Sequence, residues 1–257
     1  REIHAGDYSF EAGLNPRQVI ERLAEGRVEL IAVTLPEGLD IEESARAVAA
    51  AGIASEESLL EAFRDASHLE GFDDEAETLE GYLFPETYRF ARRVSAEDVA
   101  ATFVGHFIER FLAPRREAIE SSGFTLREIV ALASLVEKET GLAEERQRIA
   151  GVFLERLDRG MKLQCDPTVI YAMKRAGTWD GNIRKRDLSL DDPYNTYVYP
   201  GVPPGPIASP GLDSLVAVLD PVRDGHLFFV ARGDGSHEFT RTLRDHINAV
   251  RRFQLKK

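Results

Sequence analysis

The 257-residue sequence predicts an α+β fold: a small α/β unit, then a larger mixed domain built around one central helix. Three observations carry this expectation. Residues 1–34 read strand, helix, strand; the middle of the chain carries one helical pattern after another; and the C-terminus returns to strand, turn, strand, helix.

In "GDYSFEAGLNPRQVIERLAEGRVELIAVTLPEG", Tyr8 and Phe10 alternate with polar residues. Val19, Ile20 and Leu23 then recur at helical spacing behind Pro16, Gly26 ends that helix, and "VELIAVTL" is the next strand, closing the unit near Thr34. Residues 40–66 hold two short helical patterns split by Gly52. An acidic loop leads into "GYLFPETYRF", where Pro85 argues against a central strand. A helix runs roughly from Ser95 to Ser121, kinked or divided at Pro114 because proline lacks the amide hydrogen the helix needs. The next opens on Thr125-Leu126-Arg127-Glu128, a capping-box pattern, and closes at Gly141. Another covers about Ala143 to Arg159. From there to about Gly211 the chain is rich in Pro, Gly, Asn and Tyr, and irregular segments of that length tend to be functional. "HLFFVAR", "GDGSH", "EFTRT" and "LRDHINAVRRF" supply the closing strand, turn, strand and helix.

Composition is that of an ordinary globular protein, with 43% hydrophobic and 30% charged residues. A net charge of −12 argues against nucleic acid as a partner, since phosphate binding needs clustered cations and the one tight cluster is Arg184-Lys185-Arg186. No apolar run is long enough to span a bilayer. The sequence opens on Arg1 without an initiator Met and reads as an excised fragment, so an upstream signal or anchor lies outside it. The single cysteine, Cys165, excludes an intramolecular disulfide and says nothing of compartment.

The helix ending in "ALASLVEKETG" poses the chemical question, because it sets Glu137 and Glu139 among leucines and valines. At about 100° per residue, Glu137 falls on the face of Leu126, Val130 and Ala133, and Glu139 beside Leu132, Leu135 and Val136. The two acids point apart and cannot act as a dyad. Burial disfavours the charged form of a carboxyl, and the carbonyl end of a helix adds to that for Glu139. A carboxylic acid kept protonated near neutral pH is what cleavage of a glycosidic bond needs. Glu139 is therefore either a catalytic acid or one side of a structural ion pair, and Glu137 suits a structural acid paired with an Arg or with the adjacent Lys.

Other polar groups cluster downstream. Gln164, Asp166, Thr168 and Tyr171 in "LQCDPTVIYAM" suit hydrogen bonding to sugar hydroxyls and N-acetyl groups, or else an Asp-Pro-Thr helix cap with Asp166 ahead of Pro167. Tyr194, Asn195, Thr196 and Tyr197 offer rings and amides to a sugar, or else form a turn with core tyrosines. "GVPPGPIASPG" is stiff and would make a wall beside a cleft, or a surface loop. His237 stands where it either lines the cleft or is structural.

"EKETG" at the end of an apolar helix resembles the Glu-Ser helix end of lytic transglycosylases, with Glu139-Thr140 at the Glu-Ser position. "LEGYLFPETY" (79–88) and residues 145–173, 193–211 and 226–242 are similar to one family in particular, the membrane-anchored endolytic murein transglycosylases. Cys165 departs from that resemblance, standing where the family has a small hydroxyl residue. The resemblance implies a partial LysM-like subdomain at 1–34 and a catalytic domain at 35–257. It implies cleavage of the MurNAc-β-1,4-GlcNAc bond within peptidoglycan strands to leave 1,6-anhydro ends, limiting strand elongation. Glu139 would be the catalytic residue, and Ser134, Glu137 and Thr140 would join Gln164, Asp166, Thr168, Tyr171, Tyr194, Asn195, Thr196, Tyr197 and His237 at the substrate. No metal or cofactor is implied. Peptidoglycan synthases are implied as partners, with an N-terminal membrane anchor and an extracytoplasmic location.

Rival classes have weaker support. The six histidines are scattered without a His-Glu-x-x-His pattern, and neither a Gly-x-Ser-x-Gly elbow nor a phosphate-binding glycine loop is present. Two rivals stand: a water-using glycosidase with Asp166 as second carboxylate, and a non-catalytic glycan-binding module acting through the N-terminal unit.

Overall fold

The computed structural model describes residues 8–10, 12–26 and 28–255. Helix α1 (Pro16–Ala24) starts at a reciprocal cap, in which the Asn15 side chain accepts from the Gln18 amide and the Gln18 side chain accepts from the Asn15 amide. Strand β1 (Leu30–Thr34) follows, but its partner is not upstream, and Tyr8–Phe10 is not a strand. β1 instead runs antiparallel to β2 (Thr87–Ala91), with Leu30 opposite Ala91 and Thr34 opposite Thr87. Helices α2 (Ile41–Ala50) and α3 (Glu56–Arg64) lie between the two strands in sequence. β2 begins just beyond Pro85, as an edge strand allows.

The boundary expected at Thr34 falls between these two paired strands. Alternation locates a strand but not its partner, and here the partner is more than fifty residues away. The first layer and the rest of the chain also share one core, which joins Val33 and Phe90 to Phe103, Val130, Phe153 and Leu215.

Helix α4 (Ala96–Phe107) passes through a π turn at Ile108–Leu112 and a 3₁₀ turn at Ala113–Arg115 into α5 (Arg116–Ser121). Pro114 divides the long helix as expected, since its ring nitrogen cannot continue the ladder. Helix α6 (Leu126–Glu139) opens on the Thr125–Glu128 capping box and buries an unbroken run from Ile129 to Val136, so it is the central helix. Helices α7 (Ala143–Asp158), α8 (Asp166–Arg175) and α9 (Leu212–Leu219) pack against it. Gly151 lets the backbone of Val222 lie directly on α7, where a Cβ would collide with the Val222 carbonyl. Strands β3 (Phe228–Ala231) and β4 (His237–Thr240) form the expected hairpin, and α10 (Leu243–Phe253) packs on it.

Candidate active site

Glu139 is the last residue of α6, and Thr140 turns the chain into extended backbone. The residue is half-buried, and its Oε1 accepts a hydrogen bond from the Cys165 thiol at 2.9 Å. Burial raises the pKa of its carboxyl above the usual range and Asp166 adds to this, while the Cys165 hydrogen bond, His237 and Arg156 pull the other way. The net direction favours the protonated acid.

The neighbouring wall is the segment that enters α8. Gln164 holds a left-handed backbone conformation (φ 50°), unique among the described non-glycine residues, and its side chain is exposed. Such a conformation costs on the order of 1 kcal/mol or more and persists only where surroundings impose it. Here the Gln164 amide donates to the Thr196 carbonyl (3.2 Å) and the Cys165 amide to Thr196 Oγ1 (3.0 Å). The Thr168 and Thr196 hydroxyls meet at 2.9 Å inside the protein, so both stitch the two segments together. Asp166 is exposed and accepts from the Tyr197 hydroxyl at 2.5 Å. It is not the helix cap, because Cys165 occupies the N-cap position and Asp166 already lies in the first turn.

His237 forms the third wall. Its Nδ1 lies 2.7 Å from Glu145 Oε2 and its amide donates to Glu145 Oε1 at 2.9 Å. An ionised carboxylate only accepts, so Nδ1 carries the proton and Nε2 is left for another partner. Thr140 is buried, its hydroxyl 3.5 Å from the same Glu145. The end of α6, the start of α7 and the hairpin are thereby tied together.

Sequence reasoning missed Glu145 and Arg156. Nothing in the sequence links Glu145 to a histidine 92 residues on. Arg156 did leave a signal, falling on the apolar face of Ile149, Val152 and Phe153. It is buried, donates to the carbonyls of Leu227 (2.7 Å) and Leu163 (2.5 Å), and brings a positive charge toward Glu139.

Several expected ligand residues are internal. Glu137 turns toward α9, where Ser214 Oγ (2.7 Å), the Gly211 amide (3.0 Å) and Arg146 (3.5 Å) donate to it, making it a structural acid. Ser134 is fully buried, donating to the Ala131 carbonyl and accepting from the Ile207 amide. Asn195 is also fully buried. Its Nδ2 donates to the carbonyls of Leu188 (3.2 Å) and Leu190 (2.8 Å), and its Oδ1 accepts from the Tyr197 amide. Tyr171 and Tyr194 pack at 4.9 Å between ring centres and line a cavity that does not include Glu139. Of the expected site, Glu139, Gln164, Asp166, Tyr197 and His237 gather in one place.

One desolvated carboxyl at a helix end, walled by hydrogen-bonding groups on an α+β frame, is the layout of an acid–base site. The profile of the YceG-like family matches residues 1–252, and this chain belongs to that family. It is 31% identical to an endolytic murein transglycosylase of Bacillus subtilis, over 98% of this chain and 73% of the relative. An endolytic murein transglycosylase of Streptococcus pneumoniae is 29% identical over 96% of this chain, which spans about half (51%) of that relative's length. A crystal structure of a YceG-like protein from Listeria monocytogenes superposes with a TM-score of 0.77 at 30% identity, covering 96% of this chain and 85% of the other.

Proposed function

We propose that this protein is a lytic transglycosylase that cuts murein within its glycan strands, with Glu139 as the single acid and base. The observation that carries the proposal is that Glu139 is a desolvated acid whose neighbour on the same helix, Glu137, is committed to Arg146 and Ser214. Glu139 in its protonated form gives its proton to the glycosidic oxygen as the bond from that oxygen to C1 of MurNAc breaks. The carboxylate then takes the proton of the MurNAc C6 hydroxyl, whose oxygen bonds to C1 and closes the 1,6-anhydro ring. An attacking group tethered in the same sugar needs no second carboxylate to hold a water, and it enjoys a high effective molarity. Arg156 stabilises the carboxylate stage, and Gln164, Asp166, Tyr197 and His237 supply sugar contacts.

The competing reading, hydrolysis with Asp166 as second carboxylate, is favoured by the exposure of Asp166 close to Glu139. Cleavage in 18O-water decides between them. Products of the wild type are expected to carry no solvent oxygen at the new MurNAc end, and Glu139→Gln is expected to fold and to lose cleavage. Stoichiometric label, or a folded Glu139→Gln that cuts at the wild-type rate, would overturn the proposal.

We further infer from the family resemblance that the domain works outside the cytoplasm, tethered by an upstream membrane helix, beside peptidoglycan synthases whose strands it shortens. Among the described residues no helix is long and apolar enough to cross a membrane.

A further inference from the structure

A cavity of about 540 Å³, away from Glu139, lies between the start of α2, residues 73–80, the first turn of α6 and the second half of α8. Each of its cations has an acidic partner: Arg127 with Asp73 (3.0 Å), Lys174 with Asp40 (2.7 Å) and Glu43 (2.6 Å), Arg175 with Asp192 (3.8 Å), and Arg64 with Glu42 (3.8 Å), while the buried Nη2 of Arg127 has no hydrogen-bond partner among the described residues. Glu75, Glu77 and Glu80 also line it, and no salt bridge pairs any of the three with a cation among the described residues. Glu75 and Glu77 therefore leave the cavity with surplus negative charge.

Glu80 is the informative member. It is 5% exposed. Its Oε2 accepts from the Tyr171 hydroxyl (3.1 Å) and the Ile41 amide (3.4 Å), while its buried Oε1 has no partner among the described residues. An unpaired buried carboxyl oxygen is costly, so such groups are normally satisfied by something. The ring of Tyr171 stands beside it, whereas the face of Tyr194 is covered by the Arg175 guanidinium at 4.6 Å.

We propose that this cavity binds a primary ammonium group carried on a short peptide, with Glu80 as its counter-ion and Tyr171 as its aromatic wall. An ammonium is compact and brings three donors, which suits one free carboxyl oxygen and a ring better than a planar guanidinium does. The choice of a peptide rests on the murein reading above, since murein strands carry short peptides with a diamino acid. Helix α8 supplies the ruler, because its first residue borders Glu139 and its sixth, Tyr171, lines the cavity. That rise along the helix is about 7.5 Å, a distance that two or three extended peptide residues cover at roughly 3.3–3.6 Å each.

The protonation of Glu80 is linked to binding. Burial, then Asp40, pushes its carboxyl up to about 8; the Ile41 amide and the Tyr171 hydroxyl oppose this, and Glu43 adds to it. The Lys174 ammonium is engaged by Asp40 and Glu43. An arriving ammonium favours the Glu80 carboxylate, so at neutral pH the complex forms with release of a proton.

Titration calorimetry on the full chain tests this with a synthetic muramyl pentapeptide bearing lysine third in the peptide, its side-chain amine either free or acetylated. The free amine is expected to bind about ten-fold tighter or better, as a charge-assisted contact gives, with about one proton released per complex at pH 7 when buffers of different ionisation enthalpy are compared. Glu80→Gln is expected to abolish the preference. Equal binding of the two peptides by the wild type, or an undiminished preference in Glu80→Gln, would overturn the inference. The wild-type acetylation contrast and proton count decide the matter even if the variant does not fold. Cleavage of peptide-free strands, assayed alongside, keeps the two readings apart: cleavage without amine preference sinks only this inference, and amine preference without cleavage sinks only the transglycosylase reading.

Discussion

Cys165 lowers the proton affinity of Glu139 through a single contact, against the larger effect of burial. Its thiol donates to the carboxylate, which favours the charged form, and burial and Glu139 itself hold that thiol well above its ordinary pKa, so it remains a donor. Removing the donor in Cys165→Ala should raise the Glu139 carboxyl further, and the stronger hydroxyl donor in Cys165→Ser should lower it. A general acid must be protonated, so cleavage declines as pH rises through its pKa. The alkaline limb of the kcat/KM profile is therefore expected to move up in Cys165→Ala and down in Cys165→Ser. A limb that stays put in both variants would show that another group titrates there. At this scale the sequence was informative where a helical period governed. Glu137 and Glu139 had to diverge because two residues subtend about 160° on a helix, and they do, Glu137 toward α9 and Glu139 toward Cys165. The Glu145–His237 pair left no comparable trace, since it joins a helix start to a strand start through tertiary contact alone.

Among the elements, local chemistry was legible and function of loops was not. The Thr125–Glu128 box and the break at Pro114 are decided by neighbouring residues, and both occur where the sequence placed them. The Asp166 cap failed because helix α8 starts one residue earlier than the Asp-Pro signal suggests, leaving the carboxylate to Tyr197. The Tyr- and Asn-rich segment also divides differently from expectation. Asn195 uses its amide to hold the loop's own carbonyls and the Tyr197 amide, and so braces the wall. Asn195→Ala would leave buried groups unpaired, at a cost of about 1–3 kcal/mol. A clear fall in melting temperature, with activity per folded molecule retained, is the expected result. Normal stability with weakened glycan binding would return Asn195 to the substrate.

For the molecule as a whole, fold class was legible and the arrangement of its parts was not. The mix of helical and alternating patterns identified α+β, but not that one core runs from Val33 through α6 to Leu215. Position in the sequence likewise gave no hint that Tyr171 and Tyr194 lie away from Glu139, because α8 carries its first residue to Glu139 and its later ones to the cavity beside Glu80.

The pairing of β1 with β2 also bears on the order in which the chain folds. The two strands meet only after residues 35–86 have been closed into a loop, an entropic cost of about 3.5 kcal/mol plus a constant. The α6–α7 contacts and the short β3–β4 hairpin span far less of the chain and can form sooner. The first sheet is thus expected to be absent from the folding transition state. Val33→Ala, which empties a buried position at a cost on the order of 2 kcal/mol, should then speed unfolding and leave the folding rate nearly unchanged. Stopped-flow measurement of both limbs checks this; a slowed folding limb would place the sheet in the nucleus. If the sheet does form last, it is also the part of the molecule first released when the protein unfolds, carrying α2 and the Glu80 cavity with it while the helices around Glu139 still hold.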